Sequence, residues 1–433
     1  MGQRRWQQGL VAGGLAAALW LLTLARGAGG AGLPADLQRY LAEALTANPE
    51  IRQAAAVKEA AQAAVRAAGA LDDPMLHLGV SNLPTNTFSF SREDMTMKVV
   101  GLSQRFPFPG KRRLRTEAAT DQAKEAEFSY LDKINEVRGR LIQAYWGLAF
   151  AYAAADLTQK NKDLWTQAVR VAETRYGTGQ GSQTEVLQAQ VELGNYLDRL
   201  LTWQQQQQSW RATLNALRGQ PPHAPLSRPV ALQPRNFDQS LDELLVLLEA
   251  RPQLQALKTA QSRQEKLVAL ARKDFLPDFN LGVEYGFREN GVMGRRPDFF
   301  TAYIQLNLPL WFPVKQAPRL REEQARMAAA TEAYQALILQ LRAAVTDRFQ
   351  KLSRLHQQIQ LYQTGLVPQA QQAARAAQAA YQVGGLEFAR LIQTQLAAYD
   401  TELKLQEYLK EFEETWADLE FLVGSDLPRL KGK

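Results

Sequence analysis

The sequence predicts a mainly α-helical fold joined to a membrane β-barrel, with one structural unit present twice. Three observations predict it. Landmarks recur about 203 residues apart, short segments alternate strictly between apolar and polar residues, and apolar stripes run at helical spacing through two 65-residue stretches.

The chain has 433 residues, 46% of them hydrophobic and 22% charged, a globular composition. It has no cysteine, which excludes a disulfide framework, a cysteine metal site and a cysteine nucleophile. On the same ground no lipid anchor built on an N-terminal cysteine is expected. His77, His223 and His356 lie far apart, so no histidine metal site is expected, and the net charge of +7 reads as an ordinary basic surface. Residues 1–31 read as an export signal. Arg4 and Arg5 precede an apolar core from Leu10 to Leu24, and small residues follow it. No other segment offers 18 consecutive apolar residues, so any further membrane crossing would be made by β-strands.

The repeat is read from four landmarks in the same order. Asn48-Pro49 answers Arg251-Pro252, and Pro74 to Val80 answers Pro277 to Val283, both at an offset of 203. Gln104-Arg105-Phe106-Pro107 answers Leu306-Asn307-Leu308-Pro309, and Tyr176-Gly177-Thr178-Gly179 answers Tyr381-Gln382-Val383-Gly384. The domains expected are a first repeat (32–219), a linker (220–236) with five prolines before residue 235, a second repeat (237–425) and a tail (426–433).

Each repeat carries two strands. In the second, Phe279, Leu281, Val283, Tyr285 and Phe287 alternate with Asn280, Gly282, Glu284, Gly286 and Arg288. Phe300, Ala302, Ile304, Leu306 and Leu308 alternate with Thr301, Tyr303, Gln305 and Asn307. The strands are expected at about 277–288 and 299–310, and in the first repeat at about 75–90 and 96–107. Nine or ten residues cross a bilayer when the strand is tilted. Phe279, Leu281, Val283, Tyr285, Phe287, Phe300, Ile304, Leu306 and Leu308 are therefore the expected lipid-facing set.

The remainder reads as helix. Lys111 to Arg175 and Gln316 to Ala380 are each 65 residues, about 98 Å as α-helix. Their stripes are narrow, as in coiled coils, and Pro368 is expected to kink the second. Glycine turns at 177–181 and 384–385 reverse the chain, and shorter arms return, giving helical hairpins at 111–218 and 316–423. Four strands cannot close a membrane barrel, so the protomers must share one: a dimer supplies eight strands, a trimer twelve.

These residues resemble the TolC-type outer-membrane efflux family over nearly all of the chain after the signal. The tandem duplication carries the resemblance. So does the strand exit Leu102-Ser103-Gln104-Arg105-Phe106-Pro107-Phe108-Pro109-Gly110-Lys111-Arg112, which looks most like heavy-metal-efflux members. So do the tips, with Tyr176, Gly179 and Ser182 echoed by Tyr381 and Gly384. The resemblance implies a homotrimer with a twelve-stranded barrel and an α-helical tunnel, in the outer membrane with the tunnel in the periplasm. It implies that the tips meet a periplasmic adaptor linked to an inner-membrane pump, and that the duct is no enzyme and needs no cofactor. A type I secretion outlet belongs to the same family, and a soluble periplasmic coiled-coil adaptor is the alternative class. Family members with a gated tip often carry acidic residues where this chain has Arg390 and Gln393. Glu185 stands at the matching place in the first repeat, so Glu185 and Arg390 are candidates to pair across neighbouring tips and hold the pore shut.

The basic run Lys111, Arg112, Arg113 and Arg115 is expected either to face lipid phosphates or to be a solvated turn. Gly177-x-Gly179-x-Gly181 follows a helix rather than a strand and fails as a dinucleotide loop. No nucleophile–base pair is legible, and an exported chain is not expected to bind nucleic acid.

Overall fold

The computed structural model describes residues 32–291 and 294–427, so the expected signal segment and residues 428–433 lie outside it. Two short helices open the chain, α1 (Ala35–Ala47) and α2 (Pro49–Ala68). Asn48 separates them. Its side chain accepts from the amides of Glu50 and Ile51, and Pro49 fills the first helical position, where its missing N–H costs nothing. Strands β1 (Met75–Ser81) and β2 (Met97–Phe106) follow. A helical hairpin then runs out along α3 (Lys111–Gly177) and back along α4 (Gln183–Leu217).

The second repeat has the same order. After α5 (Leu241–Leu247) come α6 (Pro252–Lys273), β3 (Phe279–Phe287) and β4 (Phe299–Leu306). The outgoing arm is α7 (Gln316–Leu361), a π-helical turn (Tyr362–Leu366) and α8 (Val367–Gln382), and α9 (Phe388–Val423) returns. The linker is extended and held by side chains. Asn215 donates to the carbonyls of Pro222 and Ala224, the Tyr145 hydroxyl accepts from Val230 N–H, and Arg235 pairs with buried Glu413 at 2.6 Å. The prolines thus sit where no ladder needs their missing donors.

The four strands form one antiparallel sheet in the order β1-β2-β3-β4, leaving β1 and β4 as open edges. The helices of both repeats pack into one body. α4 and α2 lie against α3, α6 lies between α3 and α7, and α9 touches α3, α7 and α8. At 67 residues α3 spans about 100 Å, with the sheet at one end and the hairpin turn at the other. Among the described residues no helix is long and apolar enough to cross a membrane.

Two expectations need correction, the strand bounds and the narrow stripe. The first strand ends at Ser81 rather than near residue 90, because Asn82 turns into the left-handed region (φ 55°). The other strands are trimmed at their proline-bearing ends, β3 starting at Phe279 and β4 stopping at Leu306. At Pro368, where the sequence predicts a kink, regular α-helix is interrupted by a π-helical turn. The π turn just before it widens the backbone spiral and accommodates the ring and the missing N–H. The narrow-stripe expectation also fails in the middle of α3. From Leu141 to Ala151 nearly every side is buried, because α1, α4, α9 and the linker surround it. There Gly147 makes room for Trp210: a Cβ at 147 would lie 2.7 Å from that ring.

Candidate functional site

Two regions concentrate what the sequence singled out, the sheet and the tips. The strand register sorts the sheet's side chains completely. Directly opposed residues share a face. Leu76 opposes Leu102, which opposes Val283, which opposes Ala302. Leu78, Val100, Tyr285 and Phe300 form the next row. Gln104, Leu281 and Ile304 form a third, and Phe106, Phe279 and Leu306 a fourth. The opposite face carries His77, Gly101, Glu284 and Thr301 in one row and Ser103, Gly282 and Tyr303 in another. One face is therefore apolar apart from Lys98 and Gln104, and the other is mixed, polar or small in these rows but also carrying Met75, Met97, Val99 and Phe299.

The apolar face is not covered by the helical body. Phe300 is 70% exposed and Ile304 68%, and Leu281, Val283, Tyr285, Phe287, Leu306 and Leu308 are exposed too. Phe279 is half-buried. The irregular alternation of β2 has an explanation in this register. Lys98 and Gln104 are the polar residues on the apolar face, and both sit near strand ends. Lys98 pairs with Glu289 at 2.9 Å, and Gln104 donates to the Asp72 carbonyl at 2.7 Å.

Where sheet meets helices, a buried ionic joint replaces the solvated or lipid-facing basic turn expected at Lys111. The Lys111 ammonium lies 2.8 Å from Asp278 and 3.4 Å from Asp274, with the Leu276 carbonyl at 3.2 Å. Asp278 also accepts from Arg105 and from Phe108 N–H, both at 2.9 Å. Burial alone would raise the Asp278 pKa. The hydrogen bonds from Lys111, Phe108 and Arg105 outweigh it and hold the carboxyl below the ordinary carboxylate range. Arg112 donates to the Gly69 carbonyl, and Arg113 lies 3.5 Å from Glu117.

At the tips, Gly179 and Gly384 both adopt left-handed backbone (φ 74° and 76°), which closes each helix-to-helix turn. Ser182 caps α4 by accepting from Glu185 N–H. The two tyrosines diverge. Tyr176 is half exposed, whereas Tyr381 is buried, so only Tyr176 leaves its ring open at the surface. Tyr381 instead fastens the second hairpin to the first. Its hydroxyl donates to Glu185 at 2.8 Å, Arg175 stacks over its ring at 4.7 Å, and Arg175 also donates to its carbonyl. Burial, then the Glu185 carboxylate, push the Tyr381 phenol well above its ordinary pKa, so it stays a donor. Within the protomer Glu185 does not meet Arg390, which hydrogen-bonds Gln393 at 3.1 Å. An aromatic cluster of Trp165, Tyr196, Phe388 and Tyr399 packs behind this clamp. The Arg175–Tyr381–Glu185 link was not legible in sequence, because Tyr381 stands 206 residues from Arg175 and 196 from Glu185.

Among the described residues no group of three or more acidic or histidine side chains is placed to hold a metal ion.

Comparison with known proteins follows the same double pattern. The family model described as outer membrane efflux protein matches residues 40–220 and again residues 245–425. The chain is 26% identical over 297 residues to the fusaric acid resistance protein FusA of Burkholderia cepacia, covering 64% of this chain and 55% of that protein. It is 27% identical over 244 residues to the pyoverdine export outer membrane protein OpmQ of Pseudomonas putida, covering 54% and 51%. The chain thus spans about half the length of the curated relatives it matches. The crystal structure of the outer membrane protein VceC of Vibrio cholerae superposes with a TM-score of 0.78 at 22% identity, over 90% of this chain and 96% of that one. With one family match falling on each repeat, the chain belongs to the outer membrane efflux protein family.

Proposed function

We propose that this chain is one protomer of an outer-membrane exit duct, a homotrimer that passively conducts substrates received through a periplasmic adaptor from an inner-membrane pump. One observation carries the reading. An exposed apolar face runs in register across four strands that end in two open edges. In water such a face would aggregate, and in lipid each open edge would leave backbone groups unsatisfied. Lipid on the face and neighbouring protomers at the edges answer both demands. Three protomers give a barrel wide enough for an aqueous lumen, whereas the eight strands of a dimer would be filled by side chains.

The far end supplies the docking surface. Tyr176, Gly179, Ser182 and Gly384 are the candidate adaptor contacts, while buried Tyr381 holds the two hairpins together behind them. FusA and OpmQ are named for a small organic acid and for pyoverdine, which supports small-molecule efflux over polypeptide secretion.

The test is the mass of the detergent-extracted complex, with single-channel conductance of the same material in a planar bilayer. A complex of three protomers that conducts is expected. A monomer released by buffer alone would instead fit a soluble periplasmic adaptor. Arg390, with Gln393 beside it, is the candidate gate residue, opposing Glu185 of an adjacent tip. Arg390→Glu should raise resting conductance, and unchanged conductance would remove Arg390 from the gate.

A further inference from the structure

The two open edges of the sheet are formed by strands whose repeat counterparts already pair inside the chain. β2 pairs with β3 from Lys98–Phe287 to Phe106–Phe279. An offset of 202 carries β2 onto β4, and an offset of 203 carries β3 onto β1. The internal β2–β3 seam is therefore a template for the seam between β4 of one protomer and β1 of the next. Resting on the shared-barrel reading above, we infer that this seam is antiparallel with Leu308 opposite Leu76, Leu306 opposite Leu78 and Ile304 opposite Val80.

Three features of the chain fit this register. First, the faces match. The three pairs above are all apolar, and the alternate pairs, Asn307–His77, Gln305–Gly79 and Tyr303–Ser81, all fall on the polar face. A slip of one residue would set apolar against polar along the whole seam. Second, the prolines bound the ladder. Pro107 and Pro277 stand just outside the internal seam, and this register leaves Pro309 and Pro74 just outside the new one. A slip of two residues that puts Pro74 opposite Leu308 sets a residue without an N–H at a hydrogen-bonded position of the ladder. Third, the backbone polarity is right. Asn307 N–H already points inward to the Asp278 carbonyl at 3.4 Å. Hydrogen-bonding direction alternates along a strand, so Ile304, Leu306 and Leu308 turn their backbone groups to the open edge. The new seam is shorter than the internal one, because β1 ends where Asn82 adopts positive φ.

The chain has no cysteine, so engineered pairs report without background. Gln305–Gly79 is a non-hydrogen-bonded pair in this register. Such pairs stand about 4.5 Å apart at Cα, within disulfide range, while partners two residues along lie beyond about 7 Å. The full chain carrying Gly79→Cys with Gln305→Cys is compared with Gly79→Cys with Tyr303→Cys and Gly79→Cys with Asn307→Cys. Ser81→Cys with Tyr303→Cys serves as a second matched pair. Each is extracted in detergent, oxidised, weighed by light scattering and run on a non-reducing gel. The expected result is a covalent trimer for both matched pairs and none for the slipped ones. Cross-linking that favours a slipped pair overturns the register. So does a complex of three protomers in which neither matched pair cross-links. Material that weighs as one protomer overturns the shared-barrel reading itself, and the seam with it.

Discussion

Lys111 and Asp278 are among the most consequential single residues outside the apolar core. Both are nearly buried, at 4% and 7% side-chain exposure, and together they tie the start of α3 to the entry of β3. A buried pair adds little net stability over a hydrophobic replacement, whereas breaking one costs about 3–5 kcal/mol when the remaining charge is left unpaired; here Lys111 would keep Asp274 at 3.4 Å, so the loss falls below that range. Asp278→Asn should therefore lower the thermal midpoint of the detergent-solubilised protein at pH 7. The pH dependence follows from the direction of the shift. Asp278 is held below its ordinary pKa, so its stabilising contribution is present above the unfolded carboxylate value near ~3.9. It disappears as pH falls through the lower folded value. The midpoints of wild type and Asp278→Asn should converge in strong acid, and a constant gap between them would assign Asp278 a role other than ionic. The basic run was visible in the sequence, but its burial was not, since the carboxylates that receive Lys111 lie more than 160 residues away.

At the scale of the element, Gly147 reverses the expectation of helix propensity. Alanine ordinarily stabilises a helix interior relative to glycine by about 1 kcal/mol. Here the Trp210 ring occupies the place of the missing Cβ. Gly147→Ala should therefore destabilise, by about 1–3 kcal/mol in denaturant titration, through overpacking against a rigid ring. The role of Gly147 was not legible in the sequence, because the residue it accommodates, Trp210, belongs to the returning arm. Strands were legible where period-two patterning was strict, as in β3 and β4. They were misjudged where a loop residue decided the end, as with Asn82 after β1. Helix existence and the two glycine turns were readable because they depend on local pattern. The π turn before Pro368 was not, since it reflects how α7 and α8 stay continuous against α9.

At the scale of the whole molecule, the two faces of the sheet should respond differently to charge. Val283→Arg places a cation on the apolar face near the middle of β3, where the cost at a bilayer midplane is roughly 2–4 kcal/mol. Thr301→Arg places the same group on the polar face. The first should reduce recovery of folded complex from outer membranes, and the second should leave it near wild type. Equal losses would mean that neither face meets lipid. The apolar face of the sheet and the tandem architecture could be read from alternation and repeat spacing alone. The way the two hairpin tips fasten to each other could not, because Tyr176 and Tyr381 look equivalent in sequence and differ only in what surrounds them.

The linker pinned by Asn215, Tyr145 and Arg235 also bears on how a duct is put together. It makes the β2–β3 seam intramolecular, so that joint forms at the high effective concentration of a tethered pair and does not respond to dilution. In the shared barrel proposed above, the β4–β1 seams join separate molecules and follow mass action. Three such chains close the ring through three intermolecular seams rather than six, and when the protein becomes scarce those three come apart first.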